Sequence, residues 1–276
     1  MKVVIVGGAG FLGSYLVNEL KYDHDVLVFD RVANPDVESH VGDYMNIENC
    51  LESLKGGGGD AVIHVAAISS PAYDPPELVF KSNVTGTFNV HEAARKLGIK
   101  KVISTSSEAA YGFFFGEKEF LPNYLPIDEN HPLRPQDPYG LSKKVNEEIA
   151  QSFSDKGIMS TSVIRPPWIV KPEDYTGHKG FIAGRGFPLD KFNTFAYVDV
   201  RDLTKAFRLL LETDIPRYEI YNVCADDSTS NMPLSELLPK INPTLEDMAQ
   251  SIKGNKSGLS NEKIKKLGWI PKFARR

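Results

Sequence analysis

The chain has 276 residues, of which 41% are hydrophobic and 25% charged, so it is long enough for one large domain with a substantial core. Its net charge of −4, from 32 basic and 36 acidic residues, predicts no nucleic-acid partner. The sequence has no apolar run of about 18 residues, the length needed for a membrane span. Its N-terminus is too short and too glycine-broken for a secretory signal. Two isolated cysteines, Cys50 and Cys224, are too few for a disulfide framework or a zinc site. We therefore expect a cytoplasmic protein with no metal and no membrane partner.

The first segment predicts a strand, a glycine-rich turn and a helix. Residues 2–6 form a short β-branched apolar run, typical of a strand buried on both faces. The turn that follows satisfies both Gly8-x-Gly10-x-x-Gly13 and Gly7-x-x-Gly10-x-x-Gly13. Glycines at such a turn let the backbone approach a pyrophosphate at the positive end of a helix. The alternative is a turn that binds nothing. We predict that these residues contact a dinucleotide: Gly7, Gly10, Phe11, Leu12 and Gly13.

The second predicted strand, residues 25–29, ends at an acidic residue. Asp30 lies about 20 residues past the glycines, where a carboxylate takes up the hydroxyls of an adenosine ribose. Because a carboxylate there repels a 2′-phosphate, Asp30 favours NAD over NADP. Its neighbour Arg31 is a second candidate contact and weakens that preference.

Strands and helices then alternate along the chain. We predict a strand ending at Val41, strands over 61–65, 102–104 and 161–164, and helices over 45–54, 77–97, 139–153 and 200–211. This alternation predicts an α/β fold with a doubly wound parallel sheet, in which ligands lie at the carboxyl ends of the strands. Ser107, just after the fifth strand, is placed at that edge. His64, inside the fourth strand, is expected to be a packed core residue rather than a base.

Residues 112–135 form a long irregular stretch rich in phenylalanine, which predicts a packed functional loop. After it, Asp137 and Pro138 fit the cap and first turn of a helix. On that helix Tyr139 and Lys143 are one turn apart on one face. An ammonium near a phenol favours the phenolate, so we expect a lowered tyrosine pKa suited to acid–base chemistry. The alternative is a half-exposed tyrosine beside a solvated lysine. The helix also carries an apolar stripe, which we expect to pack against either the core or a second subunit: Leu141, Val145, Ile149 and Phe153.

The remaining chain predicts a small second region. We expect an NAD-binding domain over residues 1–165 and a substrate-binding region over 166–276, with residues 195–213 returning to the main domain. Among the glycines of 171–191, His178 and Arg185 either hold an anionic substrate or belong to a solvated loop.

Together these motifs resemble the extended short-chain dehydrogenase/reductases of the NAD-dependent epimerase/dehydratase family, in particular those similar to UDP-glucose 4-epimerase. The resemblance runs from residue 2 to about residue 223. The motifs that carry it are Gly7-x-x-Gly10-x-x-Gly13, Asp30, Gly42-Asp43, His64-Val65-Ala66-Ala67, Ser106-Ser107-x-x-x-Tyr111-Gly112, Tyr139-x-x-x-Lys143 and Tyr197-Val198-Asp199-Val200.

The resemblance implies a role for each matching residue. Tyr139 is the general acid–base at a sugar hydroxyl, Lys143 holds the nicotinamide ribose and tunes the tyrosine, and Ser107 bonds the reacting oxygen. Asp43 contacts the adenine. The segment Val65, Ala66 and Ala67 lies along the cofactor. On the substrate side we add these candidates: Glu108, Trp168, His178 and Arg185.

The implied function is an NAD-dependent sugar epimerase, similar to nucleotide-sugar 4-epimerases, acting by transient oxidation at a sugar carbon. Two departures from the family pattern bear on reaction and substrate. Ala109 stands where the dehydratases carry a second acid, which argues against sugar dehydration. Pro166-Pro167-Trp168 stands where nucleotide-sugar enzymes often carry an asparagine near the substrate pyrophosphate, which argues against a nucleoside diphosphate substrate. An NAD-dependent aldose or uronate dehydrogenase is the alternative, and a non-enzymatic NAD-binding sensor is an alternative of another class. The resemblance also implies a homodimer built on the helices over 83–95 and 139–153.

Overall fold

A parallel sheet of seven described strands forms the centre of the molecule. The computed structural model describes residues 1–57, 59–175 and 191–275. The first six strands are β1 Lys2–Val6, β2 Asp25–Asp30, β3 Ser39–Val41, β4 Ala61–His64, β5 Lys101–Thr105 and β6 Ser160–Arg165. The next two, β7 Trp168–Val170 and β8 Tyr197–Asp199, form a separate parallel pair. The seventh strand of the main sheet is β9 Tyr218–Asn222. Their order in the sheet is β3-β2-β1-β4-β5-β6-β9. Strands that follow β1 are added first on one side of it, as β2 and β3, and then on the other side, beginning with β4. This reversal of strand order between β1 and β4 opens a crevice at their carboxyl ends.

Helices cover both faces of this sheet, as the alternating pattern predicts. They are α1 Phe11–Leu20, α2 Ile47–Gly56, α3 Pro76–Lys96, α4 Pro138–Asp155, α5 Val200–Glu212, α6 Leu234–Ile241, α7 Glu246–Ala249 and α8 Glu262–Lys265, with short 3-10 turns at Glu108–Tyr111, Pro172–Tyr175 and Pro243–Leu245. Alternate residues of β1 serve the two layers: Val3 and Ile5 pack with α1 and α5, whereas Val4 and Val6 pack with α2 and α3. The predicted doubly wound fold is confirmed.

The last strand of the sheet is an element that the sequence analysis does not include. β9 pairs in parallel with β6, from Thr161 opposite Tyr218 to Arg165 opposite Asn222. It is an edge strand whose polar and apolar residues alternate, so it lacks the continuous apolar run that identifies β1 and β4. Residues 218–222 thus belong to the main sheet. The helix α5 belongs to the same main body, because it packs against α1.

A smaller apolar cluster lies beside the carboxyl edge of the sheet. It gathers side chains from the stretch after the fifth strand and from the C-terminal part, including Tyr111, Leu125, Ile127, Phe192, Phe195, Leu234, Leu238 and Leu259. Residues on each side of the predicted boundary at 165 therefore pack with residues on the other side. The division into two regions stays a proposal. None of the helices in the described ranges combines the length and apolar character that a membrane span needs.

Candidate active site

A cleft of about 1280 Å³ runs along the carboxyl edge of the sheet, across the crevice between β1 and β4. The structure brings together at this cleft every predicted site residue that it describes: Gly7, Gly10, Phe11, Leu12, Gly13, Asp30, Arg31, Asp43, Val65, Ala66, Ala67, Ser107, Glu108, Tyr139, Lys143 and Trp168. His178 and Arg185 lie outside the described residues. The lining of the cleft extends from the glycine turn at one end to Tyr139 at the other.

The glycine turn is tight enough to exclude side chains. Gly7 has a φ of 92°, and a Cβ there would lie 2.5 Å from the backbone nitrogen of Ala66. A Cβ at Gly13 would lie 2.0 Å from the carbonyl oxygen of Gly7. The N–H groups of Val65 and Ala66 both donate to the Val6 carbonyl, at 2.9 and 3.0 Å, so the segment after β4 crosses directly over the turn. The exposed backbone and the start of α1 fit a pyrophosphate.

Acidic residues beyond β2 and β3 line the same end of the cleft. Asp30 Oδ2 accepts a hydrogen bond from the Ala9 N–H at 3.0 Å, and its Oδ1 accepts one from the Arg31 N–H at 2.6 Å. Asp43 is held by its own short turn, where its Oδ1 accepts from the Met45 N–H at 2.9 Å. Both carboxylates keep lone pairs for ribose or adenine donors. This end of the cleft fits NAD, and these residues are the ones that would hold it.

Ser107 begins the short 3-10 turn that follows β5. Its Oγ accepts a hydrogen bond from the Ala109 N–H at 3.1 Å, so the side chain caps the turn. The turn ends at Gly112, whose φ is 93° and where a Cβ would lie 2.1 Å from the Arg134 carbonyl oxygen. The Ser107 side chain is also near enough to the Tyr139 hydroxyl to lower its pKa by hydrogen bonding. The residue order after β5 therefore places a small donor against the catalytic candidate.

Tyr139 is fixed by the start of α4. Asp137 caps the helix, since its Oδ1 accepts from the Gly140 N–H at 2.8 Å. A Cβ on Gly140 would lie 2.5 Å from the Ala109 carbonyl oxygen, so only glycine lets the first turn of α4 approach the 3-10 turn this closely. The side chain of Tyr139 is buried, with 8% of the residue exposed. Lys143 Nζ donates to the Thr105 carbonyl at 2.9 Å and lies 5.6 Å from the Tyr139 ring centre.

Burial changes the proton affinities of this pair. It raises the pKa of Tyr139 to about 12, and the charges of Asp137 and Glu108 add to that, while the Ser107 hydrogen bond acts in the opposite direction. The expected lowering of the tyrosine pKa by Lys143 is therefore wrong for this structure, because desolvation dominates. Burial also lowers the pKa of Lys143 to about 8, although the negative charge of Glu147 opposes the shift.

A buried polar network behind the pair is absent from the sequence analysis. Glu147, one turn after Lys143, accepts from Arg165 Nε and Nη2, both at 2.7 Å, and from Ser106 Oγ at 2.5 Å. Arg165 Nη1 donates to the Tyr111 hydroxyl at 2.9 Å. The spacing of Glu147 from Lys143 is a signal that was available in the sequence, but its partner Arg165 comes from a different element, the strand β6.

Asn83 on α3 is a second residue that the sequence analysis does not single out. Its Oδ1 accepts from the Ile68 N–H at 2.8 Å, and its Nδ2 donates to the Ile68 carbonyl and to Ser142 Oγ, both at 3.0 Å. Ser142 in turn donates to the Tyr139 carbonyl at 2.7 Å. Asn83 therefore connects the cofactor-side loop after β4 with the first turn of α4.

The end of the cleft near Tyr139 combines aromatic walls with the carboxyl group of Glu108. Phe113 packs edge-on against Phe192, with ring centres 4.9 Å apart, so the stretch after the 3-10 turn is packed as expected. Glu108 Oε2 accepts from Thr194 Oγ1 at 2.7 Å, and burial raises the pKa of Glu108 to about 7. His64, as predicted, is a core residue: it is buried, its Nε2 lies 3.0 Å from Thr87 Oγ1, and burial holds its pKa well below the usual range. Among the described residues, no group of three or more His, Cys, Asp or Glu side chains could hold a metal ion.

Known proteins resemble this chain over most of its length. A model of the NAD dependent epimerase/dehydratase family matches residues 3–224. The UDP-glucose 4-epimerase of Corynebacterium glutamicum is 27% identical over 309 residues, 98% of this chain and 91% of that protein. The uronate dehydrogenase of Pseudomonas syringae pv. tomato is 31% identical over 169 residues, 59% of this chain and 58% of that protein. The crystal structure of the Thermus thermophilus UDP-glucose 4-epimerase in complex with NAD is similar with a TM-score of 0.72, at 25% identity, covering 99% of this chain and 95% of that one.

Proposed function

Because the chain belongs to the NAD-dependent epimerase/dehydratase family, we propose that it is a sugar epimerase acting on a nucleotide-linked sugar. The relatives named UDP-glucose 4-epimerase that match nearly the whole chain support this substrate class. The observation that carries the proposal is the convergence of Ser107, Tyr139 and Lys143 at the end of the cleft opposite the glycine turn. A dinucleotide bound at the turn and extending along the cleft would reach these three side chains with its nicotinamide end.

The chain's own groups handle the proton of the reacting hydroxyl. NAD, when bound, supplies reversible two-electron oxidation of the sugar carbon. Tyr139 takes the hydroxyl proton and later returns it, and the Ser107 hydroxyl donates to the reacting oxygen. Lys143, held by the Thr105 carbonyl, places a positive charge beside the phenolate that forms. In an epimerase the oxidised sugar is reduced again on its other face before it leaves.

A sugar dehydrogenase is the second candidate. The uronate dehydrogenase relative and the Pro166-Pro167-Trp168 segment support it, since that segment stands where nucleotide-sugar enzymes often carry an asparagine. A non-enzymatic NAD-binding sensor is the candidate of another class. Retention of Ser107 and Tyr139 together argues against a sensor, because a protein that only binds NAD does not need a pair that handles the proton of a reacting hydroxyl.

We further propose a homodimer formed through α3 and α4. The apolar stripe of α4 divides between two environments: Ile149 and Phe153 pack in the core, whereas Leu141 is 42% exposed. On the adjacent helix Phe88 is 48% exposed. Two helices that pack together and both expose large apolar side chains form a face suited to a second copy. The cytoplasmic location and the absence of nucleic-acid and membrane partners stay predictions.

The test incubates the purified protein with NAD and a panel of nucleotide sugars, free aldoses and uronates. The absorbance of reduced nicotinamide is followed together with sugar composition. An epimerase interconverts one pair of sugars without net NADH, whereas a dehydrogenase accumulates NADH in proportion to the sugar consumed. Tyr139→Phe should lower turnover by about 10²–10⁴-fold while NAD binding persists. If the wild type and Tyr139→Phe are equally inactive on the whole panel, the sensor is favoured.

A further inference from the structure

We infer that Glu108 makes the cleft select a neutral sugar over a uronate at the reacting ring. The inference rests on the proposed redox chemistry at Tyr139 and adds the charge class of the substrate. It concerns both candidate reactions, since an epimerase and a dehydrogenase must each hold the ring that reacts.

The position of Glu108 is fixed from three sides. It directly follows Ser107 in the 3-10 turn, and its N–H donates to the Pro166 carbonyl at 3.0 Å. Its Oε2 accepts from Thr194 Oγ1 at 2.7 Å, and the Trp168 N–H also hydrogen-bonds the carboxyl group. The side chain lines the cleft and is close enough to Tyr139 for its charge to raise the pKa of that hydroxyl. A ring that presents a hydroxyl to Ser107 and Tyr139 therefore lies against Glu108.

Within residues 1–57, 59–175 and 191–275, the groups that hold Glu108 do not neutralise it. Thr194 contributes a hydroxyl and Trp168 a backbone N–H, and neither carries a charge. Lys143, the buried cation of the site, donates to the Thr105 carbonyl instead. A carboxylate accepts about four hydrogen bonds in total. Glu108 therefore keeps lone pairs for the hydroxyls of a sugar, which are donors.

A uronate brings a second carboxylate into the same end of the cleft. Two like charges in a water-poor pocket disfavour each other strongly, and the ring cannot supply the missing donor from its own carboxylate. A neutral hexose carries hydroxyls and no carboxylate on the reacting ring, so it meets the acceptor with donors. Discrimination here acts by repulsion of the wrong substrate as well as by attraction of the right one.

The test compares matched sugars that differ only in this charge. The ratio of kcat/KM for UDP-glucose to that for UDP-glucuronate, and for glucose to glucuronate, is measured with NAD for the wild type and Glu108→Gln. We expect the wild type to prefer the neutral sugar at least tenfold, and Glu108→Gln to reduce the ratio at least tenfold. The matched control is Glu236→Gln on α6, an exposed charge outside the cleft, which should leave the ratio unchanged. A wild type that prefers the uronate, or an unchanged ratio in Glu108→Gln, overturns the inference.

A second measurement uses only the wild type and avoids any folding defect of the variant. The ratio should rise as the pH passes through about 7, because Glu108 then loses its proton and begins to repel the uronate. In the part of the chain that the structure describes, the titratable groups that face Glu108 are Tyr139 from α4 and Cys224 after β9, and burial keeps both protonated below about pH 9. Effects of Tyr139 and Lys143 on catalysis cancel in the ratio. A ratio independent of pH contradicts the inference, while a panel with no turnover of any sugar removes the proposed function itself and the inference with it.

Discussion

At the scale of single residues, burial shifts the pKa values of Tyr139 and Lys143 in opposite directions. Tyr139 has its pKa raised to about 12, and Lys143 has its pKa lowered to about 8. The form that accepts a proton from the sugar has a phenolate and an ammonium, one proton fewer than the resting pair. Because Lys143 is the easier of the two to deprotonate, it sets the pH at which the pair loses its first proton.

This pair predicts a pH profile. Below about pH 8 the active form gains tenfold per pH unit, so kcat/KM should rise with unit slope; above it the pair has already lost one proton and the rate should level off. In Lys143→Met only Tyr139 titrates, so the much slower rate should keep rising past pH 9 or so. The measurement is kcat/KM from about pH 6 to 10 for both proteins. A common plateau in the two profiles would contradict the assignment.

Glu147 should set the position of that plateau. Its negative charge raises the pKa of Lys143, so Glu147→Gln should move the break in the profile to lower pH. The same change leaves Arg165 buried without its partner and should lower the free energy of unfolding by about 3–5 kcal/mol.

The double variant Glu147→Gln/Arg165→Met separates the two effects. It removes both charges, so we expect it to recover much of the stability while the break stays at low pH. Denaturant unfolding and the pH profile are measured on the same three proteins. A break that returns to about pH 8 with the recovered stability means that Glu147 acts only through folding.

At the scale of elements, the sequence predicts local units better than the contacts between them. The β1–turn–α1 unit is readable because its glycines, its apolar run and Asp30 are close in the sequence. The α4 start is readable because Asp137 and Pro138 signal it. The pair formed by Glu147 and Arg165 is not, since Glu147 lies on α4 and Arg165 on β6, and a contact between a helix and a strand leaves no local pattern in the sequence. The raised pKa of Tyr139 was missed for the same reason: burial is a property of the folded chain.

The glycine turn predicts a sharp loss of NAD binding. In Gly13→Ala the new Cβ would lie 2.0 Å from the Gly7 carbonyl oxygen, so the turn must open. The backbone N–H groups of the turn then no longer point at the pyrophosphate. We expect NAD affinity to fall by at least about tenfold, since a shifted turn forfeits at least one charge-assisted hydrogen bond. The control is Gly56→Ala at the end of α2, where nothing lies within 4 Å of the new Cβ. That variant should bind NAD normally and gain about 0.5–1 kcal/mol of helix stability. Calorimetry and thermal unfolding of both proteins decide the question.

At the scale of the whole molecule, the two layers around the sheet have different surfaces. The layer of α3 and α4 carries the catalytic helix and also the exposed Phe88 and Leu141. If that face holds a second copy, the dimer contact and the active site share α4. The sequence predicts this face only in outline, because the α4 stripe contains core and surface residues in one pattern.

The proposed dimer is tested by charge at its centre. Phe88→Glu with Leu141→Glu places like charges on the face of each copy and should give a monomer in light scattering at concentrations where the wild type is a dimer. Tyr22→Glu is the matched control, because Tyr22 is 83% exposed after α1 on the other layer. A wild-type monomer, or a dimer that persists in the double variant, contradicts the proposed interface.

The position of β9 has a consequence for the growing chain. Of the seven strands in the main sheet it is the last to be synthesised, and Asn222 at its end meets the Tyr111 hydroxyl at 2.9 Å. The crevice between β1 and β4 is complete in sequence long before residues 218–222 leave the ribosome. A nascent chain therefore gains the parts that hold the dinucleotide first, and the support behind Tyr111 and Arg165 forms only when the final strand arrives. The order of translation thus separates two stages of maturation that the finished molecule no longer reveals.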